Sequence, residues 1–213
     1  MSSDFLPFAL ACANTYDANN KPKFENLLKT VHIFESEIDG ILTFAWEGTS
    51  DKLEWFIDFL AIDVRDFVHP ELGPIHFGFW TDLLSIMPIL KEYLEHKGWP
   101  EFYNTGHSKG AAEAILFHAM MKADGHAPKA TYAFEPPRVG TQQLLDYLKD
   151  EPIFWTKTVN IHGPDKVCTV PFHIKGFDYL DLPNPLVLTV PDAYDIATKH
   201  RIPAVIEAIN KLP

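Results

Sequence analysis

The spacing of hydrophobic positions switches repeatedly between the two-residue period of strands and the three-to-four-residue period of helices. Leu6 to Tyr16 has helical spacing and predicts an opening helix. Thr30 to Ser36 and Ile41 to Trp46 are rich in β-branched and aromatic residues, and Asp39-Gly40 between them predicts a hairpin turn. Trp55 to Val64 continues in strand-like fashion. Gly78 to Lys97 returns to helical spacing, with Gly98 placed to close it. Glu101 to His107 reads as a short strand and Ser108 to Ala123 as a helix, rich in Ala, Leu, Met and Lys and ended by Gly125 and Pro128.

Ala130 to Phe134 then predicts a buried strand, Val139 to Lys149 a helix, and Thr156 to Ile161 a further strand. Pro183 to Val190 is expected to be extended, and Pro203 to Leu212 to form a last helix. No repeat, low-complexity tract or shift in composition divides the chain. This alternation predicts one α/β domain over residues 1–213, a mostly parallel central sheet flanked by helices.

Composition narrows the function more than the fold. The 213 residues suit one domain with a sizeable core. Aromatics make up 13%, enough to line a pocket as well as fill the core. The formal charge of −11 argues against nucleic acid and against adsorption to anionic lipid, and fits a neutral substrate better than a polyanionic one. Two cysteines, Cys12 and Cys168, argue against a secreted disulfide framework, and neither has metal-site spacing. The apolar run Phe5 to Ala13 lacks a basic leader and contains Pro7, and no run reaches the roughly 20 apolar residues of a membrane span. The expectation is a soluble, cytoplasmic protein with no recognisable signal peptide.

Chemistry enters at Asn104-Thr105-Gly106-His107-Ser108-Lys109-Gly110, which contains Gly-x-Ser-x-Gly. Small residues two before and two after the serine let a strand turn sharply into a helix, so that the hydroxyl projects at the helix N-terminus. A chance match in this length is on the order of one in ten to twenty. The strand before it and the alanine-rich helix after it supply the confirming context.

A nucleophilic serine needs a base, and the base needs an orienting acid. His107 and His118 lie on the serine's own turn and helix, and His69 and His76 precede it. His126, His162, His173 and His200 remain; His200, between the last strand and the last helix, is favoured. Asp165, beyond the strand ending at Ile161, is a candidate acid, with Asp192 and Asp195 as competitors that a helix-capping role would equally explain.

At these residues the chain resembles the class 3 lipases, in order from about Leu10 to the last helix. The segments that carry the likeness are Ala11 to Tyr16, Phe44 to Thr49, Trp55 with Asp58, Ile75 to Phe79, Thr105 to Ala114, Phe134 to Gly140 and Asn160 to Pro171. The resemblance implies the α/β-hydrolase fold, a serine esterase or lipase without cofactor or metal, and a triad of Ser108, Asp165 and His200. It also implies an oxyanion hole from Thr49 and the backbone N–H of Lys109. Trp46, Trp55, Phe77 and Phe79 are expected to contact the acyl chain, and Arg65 to Pro74 to stand where the family often carries a lid.

The chain departs from the family at Glu47 (usually Arg), Lys109 (Leu), Ala111 (Gly) and Glu135 (a small residue). Lys109 and Glu113 are spaced to pair, and Arg138 is expected to meet Glu113 or Glu135 if their strands are adjacent. Two other classes stay open: a non-catalytic binding protein on the same fold, and an amidase or acyltransferase using the same triad.

Overall fold

This computed structural model describes residues 2–49, 66–171, 173–174 and 177–213. Helix α1 (Ser2–Thr15) precedes strands β1 (Phe24–Glu25), β2 (His32–Ile38) and β3 (Ile41–Trp46). A hairpin of β4 (Asp66–His69) and β5 (Gly73–His76) leads into helix α2 (Phe77–His96). Then come β6 (Phe102–His107), α3 (Lys109–Ala123), β7 (Ala130–Phe134), α4 (Gln142–Leu148), β8 (Ile153–Asn160) and β9 (Gly163–Pro164). A short hairpin of β10 (His173–Ile174) and β11 (Phe177–Asp178), strand β12 (Leu186–Thr189) and helices α5 (Ile196–His200) and α6 (Ile202–Ile209) complete the order.

The main sheet runs β1-β2-β3-β6-β7-β8-β12, with β9 paired to β8. From β3 to β12 neighbouring strands are parallel, while β1 and β2 add an antiparallel edge. Parallel neighbours need crossovers, which α2, α3 and α4 supply. These three helices pack into one core while α1 and α6 cover the opposite face, and strand alternation sorts side chains between the two. On β3, Phe44 and Trp46 join Leu83, Leu90, Ile115 and Phe117, while Ala45 between them joins Phe5, Phe8, Val205 and Ile209. The early apolar run is explained by this second core: α1 packs there, and the Phe8 ring stacks on Tyr132 at 3.8 Å. Among the described residues no helix is long and apolar enough to cross a membrane.

Helix α3 lies at the centre of the first core, with Ala111, Ala112 and Ala114 fully buried. Asn104 ties it to the sheet: the side chain accepts from Trp46 Nε1 at 2.6 Å and donates to the Ala114 carbonyl at 2.7 Å. A buried amide is tolerable only when so satisfied.

Two expectations change. Residues 139–141 are not helical, because tertiary bonds claim their backbone: Val139 O accepts from His76 N at 3.2 Å and Gly140 O from Leu180 N at 3.1 Å. The helix therefore starts at Gln142. Much of the stretch expected as a lid is the β4–β5 hairpin, whose Leu72, Gly73, Pro74 and Ile75 are buried, so this part is packed structure and not a free cover. Arg65 and the segment Trp55 to Val64 lie outside the described residues.

Phe117 faces the rings of Phe44, Trp46 and Phe102 at centroid distances of 6.3, 5.3 and 6.0 Å. Phe117→Ala should cost about 3–5 kcal/mol in urea denaturation, through lost burial and the cavity left behind. A loss below about 1 kcal/mol would contradict this core placement.

Candidate active site

Parallel strands deliver their C-terminal ends to one edge of the sheet, where ligand-facing groups gather in open α/β folds. Ser108 follows β6, Glu135 follows β7, Gly48 and Thr49 lie just beyond β3, and Asp165 follows the β8–β9 hairpin. The turn at Ser108 is forced: its backbone sits at φ 58, ψ −125, a left-handed conformation costly for any side chain. It persists because neighbouring backbone closes around it. Ser108 N donates to Phe134 O at 2.9 Å, and a methyl on Gly106 would come within 2.3 Å of the Gly110 carbonyl oxygen. The hydroxyl is thereby held at the first turn of α3, whose N-terminal amides lack intrahelical acceptors.

The structure brings Ser108, His200 and Asp165 together. His200 Nε2 lies 2.8 Å from Ser108 Oγ, and His200 Nδ1 hydrogen-bonds Asp165 Oδ2. Asp165 Oδ1 accepts from Val167 N at 3.0 Å. All three residues are buried. Burial alone would raise the Asp165 carboxyl, but the charge and hydrogen bond of His200 hold it below its ordinary range.

Two supports were not legible in the sequence. His107 does not serve the hydroxyl; its Nε2 lies 2.7 Å from the backbone oxygen of His200, and its Nδ1 2.7 Å from Tyr16 OH. A carbonyl only accepts, so Nε2 carries the proton and Nδ1 accepts from the tyrosine. Burial, then the neighbouring His200 charge, push His107 down to about 3, in keeping with that neutral ring. Lys199 reaches back from α5 to Gly163 O at 3.0 Å, Pro164 O at 3.3 Å and Asn160 Oδ1 at 3.3 Å. It thus clamps the segment bearing the base to the loop bearing the acid.

The other candidates separate. Thr49 is exposed beside the elbow: a methyl on neighbouring Gly48 would stand 3.2 Å from Ser108 Cβ. Lys109 is the first residue of α3, and its ammonium meets Glu113 at 2.6 Å, Asp82 at 2.8 Å and Thr30 O at 2.6 Å. Those carboxylates keep it charged although burial opposes it. Trp46 and Phe79 are corrected: both rings are fully buried core members without surface for an acyl chain. Phe77, half-buried at the start of α2, stays a candidate, and Trp55 lies outside the described residues, as does Asp58.

Arg138 pairs with Asp181 at 2.5 Å, not with Glu113 or Glu135. Glu47 pairs with His32 at 2.6 Å. Asp195 caps α5 by accepting from Thr198 N at 2.7 Å, and Asp192 accepts from Ile161 N at 3.1 Å, which accounts for both competitors of Asp165. Glu135, Asp165 and His200 form the one group among the described residues with metal-capable atoms in mutual reach, and those atoms are engaged within the cluster and its surroundings.

The buried His107 makes a pH prediction. Folded, it stays neutral down to about 3; unfolded, it titrates at its ordinary 6.5. As pH falls below 6.5 the unfolded chain takes up the proton first, so this contribution, complete above 6.5, is lost toward 3. His107→Gln should therefore flatten the decline of the urea midpoint between about pH 6.5 and 4. Equal slopes in both proteins would contradict a neutral buried ring.

Comparison with known proteins agrees with this architecture. The profile Lipase (class 3) matches residues 43–175. Toxin TseL of Vibrio cholerae serotype O1 is 31% identical over 104 residues, which is 47% of this chain and only 16% of the toxin's length. A mutant form of MDLA from Penicillium cyclopium superposes with a TM-score of 0.64 at 19% identity, covering 93% of this chain and 83% of that one. A lipase from Yarrowia lipolytica superposes at 0.62 with 18% identity, covering 89% and 79%. With the profile spanning more than half its residues, on a sheet and helix arrangement shared with fungal lipases, the chain belongs to the class 3 lipase family and has the α/β-hydrolase fold.

Proposed function

We propose that the chain is a carboxylic-ester hydrolase that acts by acyl transfer through Ser108, His200 and Asp165, on a neutral lipid or a short-to-medium-chain ester. The observation that carries this is the single hydrogen-bonded line from Ser108 Oγ through the His200 ring to Asp165. Family membership supplies the reaction class.

In this mechanism His200 Nε2 accepts the Ser108 proton as Oγ attacks the ester carbonyl carbon. Asp165 holds the Nδ1–H tautomer and stabilises the imidazolium that forms. The carbonyl oxygen, now negative, is held by the backbone N–H groups of Thr49 and Lys109, and one such donor typically contributes about 10²–10³ in rate. The imidazolium returns its proton to the leaving alcohol, and the acyl group stays on Oγ. Water, deprotonated by His200, then attacks the acyl carbon, and the imidazolium returns that proton to Ser108 Oγ as the acid is released. No step needs a metal or cofactor. The net charge of −11 disfavours anionic acyl donors, which fits a neutral ester.

Ser108→Ala should lower kcat on a p-nitrophenyl ester by about 10⁴ or more, and His200→Ala by a similar factor, because triad members act as one unit. Wild-type turnover in Ser108→Ala would sink the assignment. Across p-nitrophenyl esters of increasing chain length and matching anilides, esters should be cleaved and anilides spared; anilides cleaved as fast as esters would point to an amidase.

A further inference from the structure

The first turn after β7 carries an acidic side chain where the resemblance leads one to expect a small residue. Glu135 is wholly buried at φ 52, and its carboxyl points into the triad rather than away from it. One oxygen faces Thr156 Oγ1 at 3.1 Å; the other faces Thr158 N at 3.0 Å, Thr158 Oγ1 at 3.0 Å and Cys168 Sγ at 3.5 Å. Carboxyl oxygens of Glu135 and Asp165 and a ring nitrogen of His200 all lie within 4.8 Å of one another. Two carboxyls therefore share a buried pocket with the His200 imidazole.

We propose, resting on the triad assigned above, that Glu135 is a positioning residue of that triad: its carboxyl stays neutral and donates a hydrogen bond to the Asp165 carboxylate. Asp165 then has all its partners fixed, with His200 Nδ1–H on one oxygen, Val167 N–H on the other, and the Glu135 proton completing the set.

Charge counting leads here. Two adjacent carboxylates cannot both ionise in a buried site at small cost, and the proton settles on the one with less cationic support. The groups facing the pair come from every surrounding element. From β6 comes His107, neutral and turned to Tyr16 and the His200 backbone. From the 3-10 turn Val167–Thr169 comes Cys168, whose thiol burial keeps protonated. From α5 comes Lys199, whose ammonium is spent on the oxygens of Asn160, Gly163 and Pro164, and from β8 comes Lys157, paired with Asp181 at 3.1 Å. Only His200 can offset a negative charge at close range among these, and it contacts Asp165 directly. Glu135 therefore takes the proton; its burial first, and the Asp165 charge second, act in the same direction.

The consequence is functional. A donor on Asp165 fixes the carboxylate plane that orients the imidazole. A carboxylic acid in this place behaves as an amide would: it accepts from Thr158 and donates to Asp165.

Purified full chain, its active sites counted by stoichiometric reaction with a p-nitrophenyl phosphonate, gives the test through pH profiles of kcat/KM. Glu135→Gln should keep kcat within about 3-fold and leave the acid limb in place, since no charge is lost. Glu135→Ala should lower kcat about 10-fold or more per titrated site with little change in KM, because a misplaced catalytic group is costly. An acid limb moved about one unit or more toward low pH in Glu135→Gln would mean that an ionised carboxylate had been removed, overturning the proposal. Wild-type kcat per site in Glu135→Ala would overturn it as well. A wild-type protein that neither reacts with the phosphonate nor turns over ester would instead overturn the triad beneath it, a failure distinct from both.

Discussion

The left-handed backbone at Ser108 is the constraint on which the site depends. A β-strand and an α-helix meeting head to tail need such a reversal, and only close approach of small residues around it makes room. The strain has two effects. It aims one hydroxyl beyond the sheet edge, and it places that oxygen at the amide end of a helix buried along most of its length. Register does the rest, since β6 lies between β3 and β7 and brings Gly48, Ser108 and Glu135 to adjacent positions on that edge.

A hydroxyl so aimed acquires chemistry only if the other two groups meet it, and they come from the far end of the chain. Neither His200 nor Asp165 is fixed by its own short element. Helix α5 has five residues and β9 two, too few to hold a side chain by local structure alone. Their positions come from cross-links: His107 to the His200 carbonyl, Lys199 to the acid loop, and Asp165 N to Thr158 O at 3.0 Å. The same residues that bear the proposed reaction are thus part of the packing.

What the sequence made legible follows from this division. Long periodic segments were readable: α3, β3 and β7 stand where alternation and composition put them, because local pattern and tertiary packing agree there. The elbow was readable because its sterics are local. The start of α4 was not, since residues 139–141 are held by bonds to His76 and Leu180 that periodicity cannot register. The β4–β5 hairpin was missed for a like reason: its polar beginning hid a buried second strand. Trp46 differs from expectation because proximity in sequence to Thr49 says nothing of the face on which a strand residue points; alternation sends it into the core with Phe44. Asp165 could not be separated from Asp192 and Asp195 by spacing, and the distinction lies in which carboxyl the fold turns toward the imidazole. His107 and Glu135 carried a signal of another kind, polar residues beside the motif or at odds with the family pattern, whose meaning only the geometry supplied.

The most direct test is a crystal structure of the protein after reaction with an alkyl phosphonate. Phosphorus should be bonded to Ser108 Oγ, with His200 Nε2 in hydrogen-bond reach and the phosphoryl oxygen between the backbone N–H groups of Thr49 and Lys109. Phosphorus on another residue, or an imidazole turned away from Asp165 and the adduct, would contradict a triad centred on the elbow.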